Sequence, residues 1–166
     1  YEQVYKAINS RKVTMNFHSF LYQTQMTTRF NVPRHLMIID ECHNIEQQLL
    51  DFVSIRLTDF SLRNRGIILP KLDSPQDYAV WFHDKNIIDN LKSMLKEALD
   101  LENDKAVDEL THLINKLNTF MDQMQTDIEW VSEFETKHGS NPYNIVNLKP
   151  VFIKDFANDL LFSKGE

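Results

Sequence analysis

A single cysteine, Cys42, stands in the 166-residue sequence. This excludes an intrachain disulfide, and also a cysteine-held zinc or iron-sulfur centre built from this chain alone. Three glycines and five prolines are too few for collagen-like or low-complexity architectures. No uninterrupted apolar run approaches the ~20 residues that a membrane-spanning helix requires. Tyr1 to Lys12 is polar, unlike a secretory signal. The expectation is therefore a soluble, intracellular chain with no membrane partner. The histidines at 18, 35, 43, 83, 112 and 138 never stand at the H-x-x-x-H or H-x-x-E-H spacing of zinc sites, so they read as surface or helix-face residues. The first residue is Tyr1 rather than Met, which suggests processing or a piece of a longer chain.

With 42% hydrophobic and 25% charged residues, the chain can close one or two modest cores. Its net charge of -6 is unevenly spread. Residues 1–65 carry 8 Lys and Arg against 6 Asp and Glu, whereas residues 66–166 carry 10 against 18. The second part thus reads as an acidic, solvated helical surface and a poor general platform for phosphate, although a local groove could still be positive.

In the N-terminal part, Val4, Tyr5 and Ile8 fit one face of a short helix, Lys12 to Asn16 reads as a brief strand, and Phe20 to Tyr22 as a short helical or loop piece. After Pro33, Leu36-Met37-Ile38-Ile39 is a compact apolar run of the kind shown by a strand buried on both faces. A helix follows near Asn44. Phe52, Val53, Ile55 and Leu57 look extended, and Arg56, Arg63, Arg65, Gly66 and Pro70 mark a domain boundary.

Beyond it the pattern changes to long helices. Ser74-Pro75-Gln76-Asp77 combines a hydroxyl cap, a first-turn proline and a first-turn acid. Ile87, Ile88, Leu91, Leu95, Ala98 and Leu99 form one apolar stripe. Asn103 and Asp104 can cap a second long helix, in which Val107, Leu110, Ile114, Leu117, Met121, Met124, Ile128 and Val131 recur at steps of three and four, a coiled-coil-like seam. The short link from Asp100 to Lys105 predicts an antiparallel pair. The methionines in the seam could line a partner groove, but core packing is the plainer reading. Gly139 to Pro142 ends the helical region, and a last helix is expected from about Lys149 to Phe162.

The chemistry concentrates in Leu36 to His43. A buried strand would deliver Asp40 and Glu41 to its C-terminal edge, where open α/β sheets place their ligands. In nucleotide hydrolysis the first acid can hold Mg²⁺ through water and the second can polarise the water that attacks the γ-phosphate. His43 would lie where a hydrogen bond sensitive to the triphosphate can form. A strand end with solvated acids that cap the next helix is the alternative.

Asp40-Glu41-Cys42-His43-Asn44-Ile45-Glu46 resembles the D-E-A-H-N form of the Walker B motif (followed by Ile or Leu and an acid) in the superfamily 2 DNA helicases of the XPD and DinG group. Val13 to Leu21 is similar to that group's segment of a short strand, a polar residue, an aromatic, a histidine and a leucine pair. Tyr1 to Ile8 is similar to the helix after the family's last cluster cysteine, and Leu148 to Phe162 to its return into the motor domain. The resemblance is colinear over nearly the whole chain, with only the Walker B portion specific by itself.

It implies an α/β fragment of a P-loop NTPase motor domain with a mainly α-helical, arch-like hairpin insertion, predominantly helical overall. Residues 1–57 would belong to motor domain 1, 58–144 to the arch, and 145–166 to the return into the motor. The implied activity is ATP-driven 5′-to-3′ translocation on single-stranded DNA. Asp40 would serve Mg²⁺ through water, Glu41 the catalytic water and the bound nucleotide, and His43 the coupling of nucleotide state to DNA. Cys42 replaces the commoner Ala and does not read as a nucleophile. His18 aligns with a family histidine of structural role, near DNA at most. Arg56, Arg63 and Arg65 could meet phosphates where arch and motor join, or lie in a solvated linker. Trp81, Phe82 and Trp130 could stack on bases, with packing inside the arch the simpler reading. The implied partners are single-stranded DNA and the rest of the parent helicase, in a monomer of the cytoplasm, or of the nucleus in a eukaryote.

No G-x-x-x-x-G-K followed by Ser or Thr occurs, hence no backbone cradle for the β and γ phosphates. The ATP, the Ser-Ala-Thr motif, the arginine finger and the 4Fe-4S cluster that the resemblance implies would all need sequence outside this chain. Alone, it is expected to hydrolyse no ATP. Two other readings remain open: a noncatalytic helical module that binds a protein, and a DExH motor acting on RNA. A strand over Leu36 to Ile39 with Asp40 and Glu41 emerging together at its end favours the motor over the interaction module; a helical or exposed segment removes the helicase assignment.

Overall fold

A computed structural model describes residues 5–7, 9–25, 36–40, 42–63, 66–139 and 141–164. In chain order its elements are α1 (Phe17–Gln25), α2 (Ile45–Val53), β1 (Ile55–Thr58), α3 (Asp59–Leu62), α4 (Pro75–Asp84), α5 (Ile87–Asp100), α6 (Asp104–Gln123), β2 (Trp130–Lys137), β3 (Tyr143–Pro150) and α7 (Lys154–Leu160). Single 3-10 turns cover Cys42–Asn44 and Phe162–Lys164. The fold is mixed α/β, mostly helical, with a three-stranded antiparallel sheet in the order β1-β3-β2. Among the described residues no helix is long and apolar enough to cross a membrane. The chain divides into two compact units, one of residues 1–52 with 153–166 and one of residues 53–152.

The second unit is built on its sheet. Ile55 pairs with Leu148 and Leu57 with Val146, while Ser132 and Phe134 pair with the same two residues from the other side. Side chains alternate across a strand, so Ile55, Leu57, Val146 and Leu148 share one face, and all four are buried. On the opposite face Lys149 pairs with Glu133 at 2.8 Å, a partly exposed contact contributing about 0–1 kcal/mol.

The helices of this unit begin where local chemistry dictates. The Ser74 hydroxyl accepts the Asp77 N–H at 3.1 Å with Pro75 in the first turn of α4. Asn103 accepts the Ala106 N–H at 3.2 Å and starts α6. Helices α5 and α6, joined through residues 101–103, lie against each other and bury Ile87, Leu91 and Ala98 from one and Ile114, Leu117 and Phe120 from the other. Aromatic rings then run from α4 to the sheet. Phe82 meets Phe120 edge-on at 6.0 Å, and Phe120 meets Trp130 at 5.0 Å. Each such pair adds about 0.5–1.5 kcal/mol beyond burial. Lys116 reaches from α6 to the Ser54 carbonyl at 2.8 Å, tying the hairpin to the start of β1.

The first unit is smaller. Asn16 caps α1 by accepting the Ser19 N–H at 2.7 Å. Helix α1 contacts α7, Gln25 donates to the Asp159 carbonyl at 3.4 Å, and Leu21, Phe156, Leu160 and Leu161 are buried. Thr24, also buried, keeps its hydroxyl satisfied on the Phe20 carbonyl at 2.9 Å.

Several expectations require correction. The seam does not run through Ile128 and Val131, because α6 ends at Gln123 and residues 130–137 form β2. The physical cause is a change of period: Trp130, Ser132, Phe134 and Thr136 alternate, and aromatic or β-branched types suit a pleated surface. Gly139 to Pro142 therefore joins two strands, and the last helix is α7, after β3. Lys12 to Asn16 forms no strand, and Phe52 and Val53 end α2. Leu99 lies off the buried stripe at 56% exposed. Contacts within the chain group the Arg56 to Pro70 stretch with residues 53–152. The sheet is antiparallel; no parallel sheet of a motor domain occurs among the described residues. Leu36 to Ile39 carries no strand, with Leu36 and Ile38 at 70% and 83% exposed. A strand buried on both faces needs neighbours to cover it, and the described residues supply none. Val4, Ile8, Glu41 and Arg65 lie outside the described residues.

Candidate functional site

The acid-histidine segment lies in the first unit. Asp40 is exposed at a bend, and Cys42–Asn44 forms one exposed 3-10 turn leading into α2. Glu46 sits in the first turn of α2, favourable for the helix dipole, and Leu49, buried, anchors the helix. The His43 Nε2 is 2.9 Å from the Asn44 Nδ2. The Cys42 thiol is free and exposed. Among the described residues no group of three or more His, Cys, Asp or Glu side chains could hold a metal ion. Mg²⁺ in nucleotide sites takes one or two carboxylates together with phosphate oxygens. Asp40, exposed at a bend, would supply one such carboxylate, and Glu41 lies outside the described residues.

His18 is exposed in the first turn of α1, one turn before the buried Leu21. Arg56 is exposed on β1, between the buried Ile55 and Leu57 and opposite Asn147. Trp81, Phe82 and Trp130 belong to the packed aromatic run: Trp81 leans on Phe82 at 5.6 Å, and Phe82 and Trp130 are buried.

Arg63 is different, and it leads to a residue that sequence reasoning missed. Strand β1 ends at Thr58, opposite Ile145, and the chain turns into α3 at Asp59. One step further along the register stands Asn144, whose N–H donates to the Asp59 Oδ1 at 3.1 Å. A side-chain carboxylate thus extends the ladder where the backbone has left it. Asp59 is fully buried, and the Arg63 Nη2 lies 3.3 Å from Oδ1 and 3.4 Å from Oδ2. Arg63 also donates to the Pro142 carbonyl in the β2–β3 connection. A buried carboxylate is tolerated only when paired and hydrogen-bonded, and Asp59 is both. The one sequence signal was an acid four residues before an arginine, a spacing common on helix surfaces. Asn144 is itself held, donating to the Leu69 carbonyl at 3.3 Å and accepting from Thr136 at 3.0 Å.

Compared with protein-family models, curated proteins and solved structures, the chain gives no match. The functional reading therefore rests on the residues themselves.

Proposed function

We propose that this chain is part of the first motor domain of an ATP-dependent DNA helicase of the XPD and DinG type, with residues 53–152 as its arch. One observation carries the reading. Residues 53–152 leave and rejoin the chain through adjacent antiparallel strands, Ile55 opposite Leu148, while the other unit consists of the two interrupted segments 1–52 and 153–166. That is the organisation of a domain inserted into a host, and the insertion starts one helix after Asp40-Glu41-Cys42-His43. The exposure of Leu36 and Ile38 runs against the condition set for this reading, which therefore requires strands of the parent protein to cover them and its phosphate-binding loop to bring the nucleotide to Asp40 and Glu41.

A second reading has its own observation. The exposure of Leu36, Ile38, Asp40 and His43 favours a noncatalytic module in which the helical hairpin binds a protein.

The two separate in the parent reading frame and in its activity. The helicase reading expects a Walker A motif and four cysteines upstream of Tyr1, with a Ser-Ala-Thr motif downstream of Glu166. In that longer protein, Glu41→Gln lowers DNA-stimulated ATP hydrolysis by about 10²–10⁴-fold, the usual contribution of a positioned base. The present chain shows no ATPase above background. A frame without Walker A, or a substantial rate from the present chain that Glu41→Gln removes, overturns this reading.

A further inference from the structure

The sheet of the second unit has two edges, β1 and β2, and they are finished differently. Hydrogen-bond parity shows which backbone groups β2 turns outward. Trp130 stands opposite Pro150, and one step out the Val151 N–H donates to the Glu129 carbonyl at 2.8 Å. Bonded pairs alternate in an antiparallel ladder, so Val131, Glu133 and Glu135 bond inward to β3, while Ser132, Phe134 and Thr136 turn their N–H and C=O away from it. Asn144 agrees from the other side: it stands opposite Thr136, yet sends its N–H to Asp59 beside β1.

Edge β1 is four residues long and guarded at both ends, by Lys116 on the Ser54 carbonyl and by the turn into α3 after Thr58. Edge β2 is eight residues long. Bulges, prolines and charges on the packed face are what blunt an edge against a further strand. The register of β2 is unbroken from Trp130 to Lys137, and the strand contains no proline or glycine. Ser132, Phe134 and Thr136, on its packed face, are uncharged. No bond from a described residue reaches the outward backbone groups of these three.

The charges of β2 lie on its solvated face, where they select what can join the edge. Residues 127–137 hold four acids and one lysine. Lys149 takes the Oε2 of the exposed Glu133, and Lys137 takes the Oε1 of the exposed Glu135. The second oxygen of each carboxylate has no partner among the described residues and can accept from a further cation. A second copy laid antiparallel along β2, with Phe134 at the axis, would instead set Glu133 against Glu135 of its mate, a like-charge pairing.

We propose that the outer edge of β2 accepts a fourth strand, an extended segment of another protein with Lys or Arg opposite Glu133 and Glu135 and uncharged residues between. Backbone bonds to Ser132, Phe134 and Thr136 supply the pairing, and the two carboxylates supply the choice of partner. The inference uses no residue of the acid-histidine segment and depends on neither reading of it.

Amide hydrogen exchange of the whole chain, with and without the end-blocked peptide Thr-Val-Lys-Val-Lys-Val-Thr at millimolar concentration, tests it. Alone, Ser132, Phe134 and Thr136 should exchange fast, while Val131, Glu133 and Glu135 are protected by β3. The peptide should slow the first three about tenfold or more. N-methylation of its central Val, whose N–H faces β2, should abolish the effect, whereas N-methylation of a Lys, whose N–H faces away, should not. A peptide with Glu in place of Lys should bind about tenfold more weakly, and Glu135→Gln should narrow that gap. Slow exchange of the three amides without peptide, no slowing with it, or equal binding of the two N-methylated forms overturns the proposal. Equal affinity of the Lys and Glu peptides overturns the basic partner. Protection that instead rises with the concentration of the chain alone gives the edge to a second copy, and the proposal fails.

Discussion

Residues 53–152 bury Tyr78, Phe82, Phe120, Leu117, Ile87 and the inner face of a sheet, whereas the described parts of 1–52 and 153–166 bury only Leu21, Leu49, Phe156, Leu160 and Leu161 among their apolar side chains. The latter also leave Tyr5, Leu36, Ile38 and Phe162 between 66% and 83% exposed. A fully buried Leu or Phe contributes about 1.5–3 kcal/mol, so the contrast is one of several side chains' worth of stabilisation. Among the described residues, then, the unit carrying the most suggestive residues has the smaller core. The unit with no recognised motif folds around a core of its own.

The sharpest way to break this comparison is Phe120→Ala. Its ring joins Phe82 to Trp130, and its loss should cost about 3–5 kcal/mol in the second unit. Both tryptophans of the chain, Trp81 and Trp130, lie in that unit, so urea unfolding followed by indole fluorescence reports on it selectively. A cost below about 1 kcal/mol would mean that the aromatic run is not the core described.

Next in size is Asp59→Asn, expected to cost about 1–3 kcal/mol because Arg63 and the Asn144 N–H lose a charged acceptor. The same fluorescence measurement checks it, and an unchanged midpoint would remove Asp59 as the organiser of the β1–α3 junction.

A smaller effect concerns alkali. Burial pushes the Tyr78 phenol above its ordinary value of 10.0, the Leu72 N–H bond pulls it down less, and the Asp73 charge adds to the rise. The unfolded phenol ionises first, so the stability held by the protonated folded form is complete below pH 10.0 and is lost as pH rises through the higher folded value. Tyr78→Phe should flatten this decline while losing the hydrogen bond to the Pro70 carbonyl at 3.0 Å. Urea midpoints taken on either side of that pH measure both, and an equal decline in the variant would assign the titration elsewhere.

The smallest expected effect is Ile38→Ser, within about 0.5 kcal/mol, since the side chain is 83% exposed. A cost above about 2 kcal/mol in this chain would show Leu36 to Ile39 to be covered after all and restore the buried strand.

The start signals of α4 and α6 were legible because Ser74, Pro75 and Asn103 act through local geometry, within four residues of their partners. The limits of the second unit were not, because they depend on strands separated by most of the chain. Strand β2 was hidden by continuity: Ile128 and Val131 extend the helical spacing of α6, and no glycine or proline stands between Gln123 and Trp130 to announce the change. At the acid-histidine segment the residue types were plain, but a four-residue apolar run does not say whether anything covers it. Asp59 was invisible for a related reason. Its role comes from Asn144, brought alongside only by the β1–β3 register.

That register also has a mechanical meaning. Antiparallel hydrogen bonds run perpendicular to their strands, and β1 and β3 reach the limits of the second unit side by side. Tension applied across residues 53 and 152 would peel this ladder like a zipper, rung after rung from Ile55 and Leu148, instead of loading every rung at once. The Asp59 carboxylate stands at the far end of the peel as its final catch. A force-spectroscopy trace should therefore yield early at the base and hold until that carboxylate lets go.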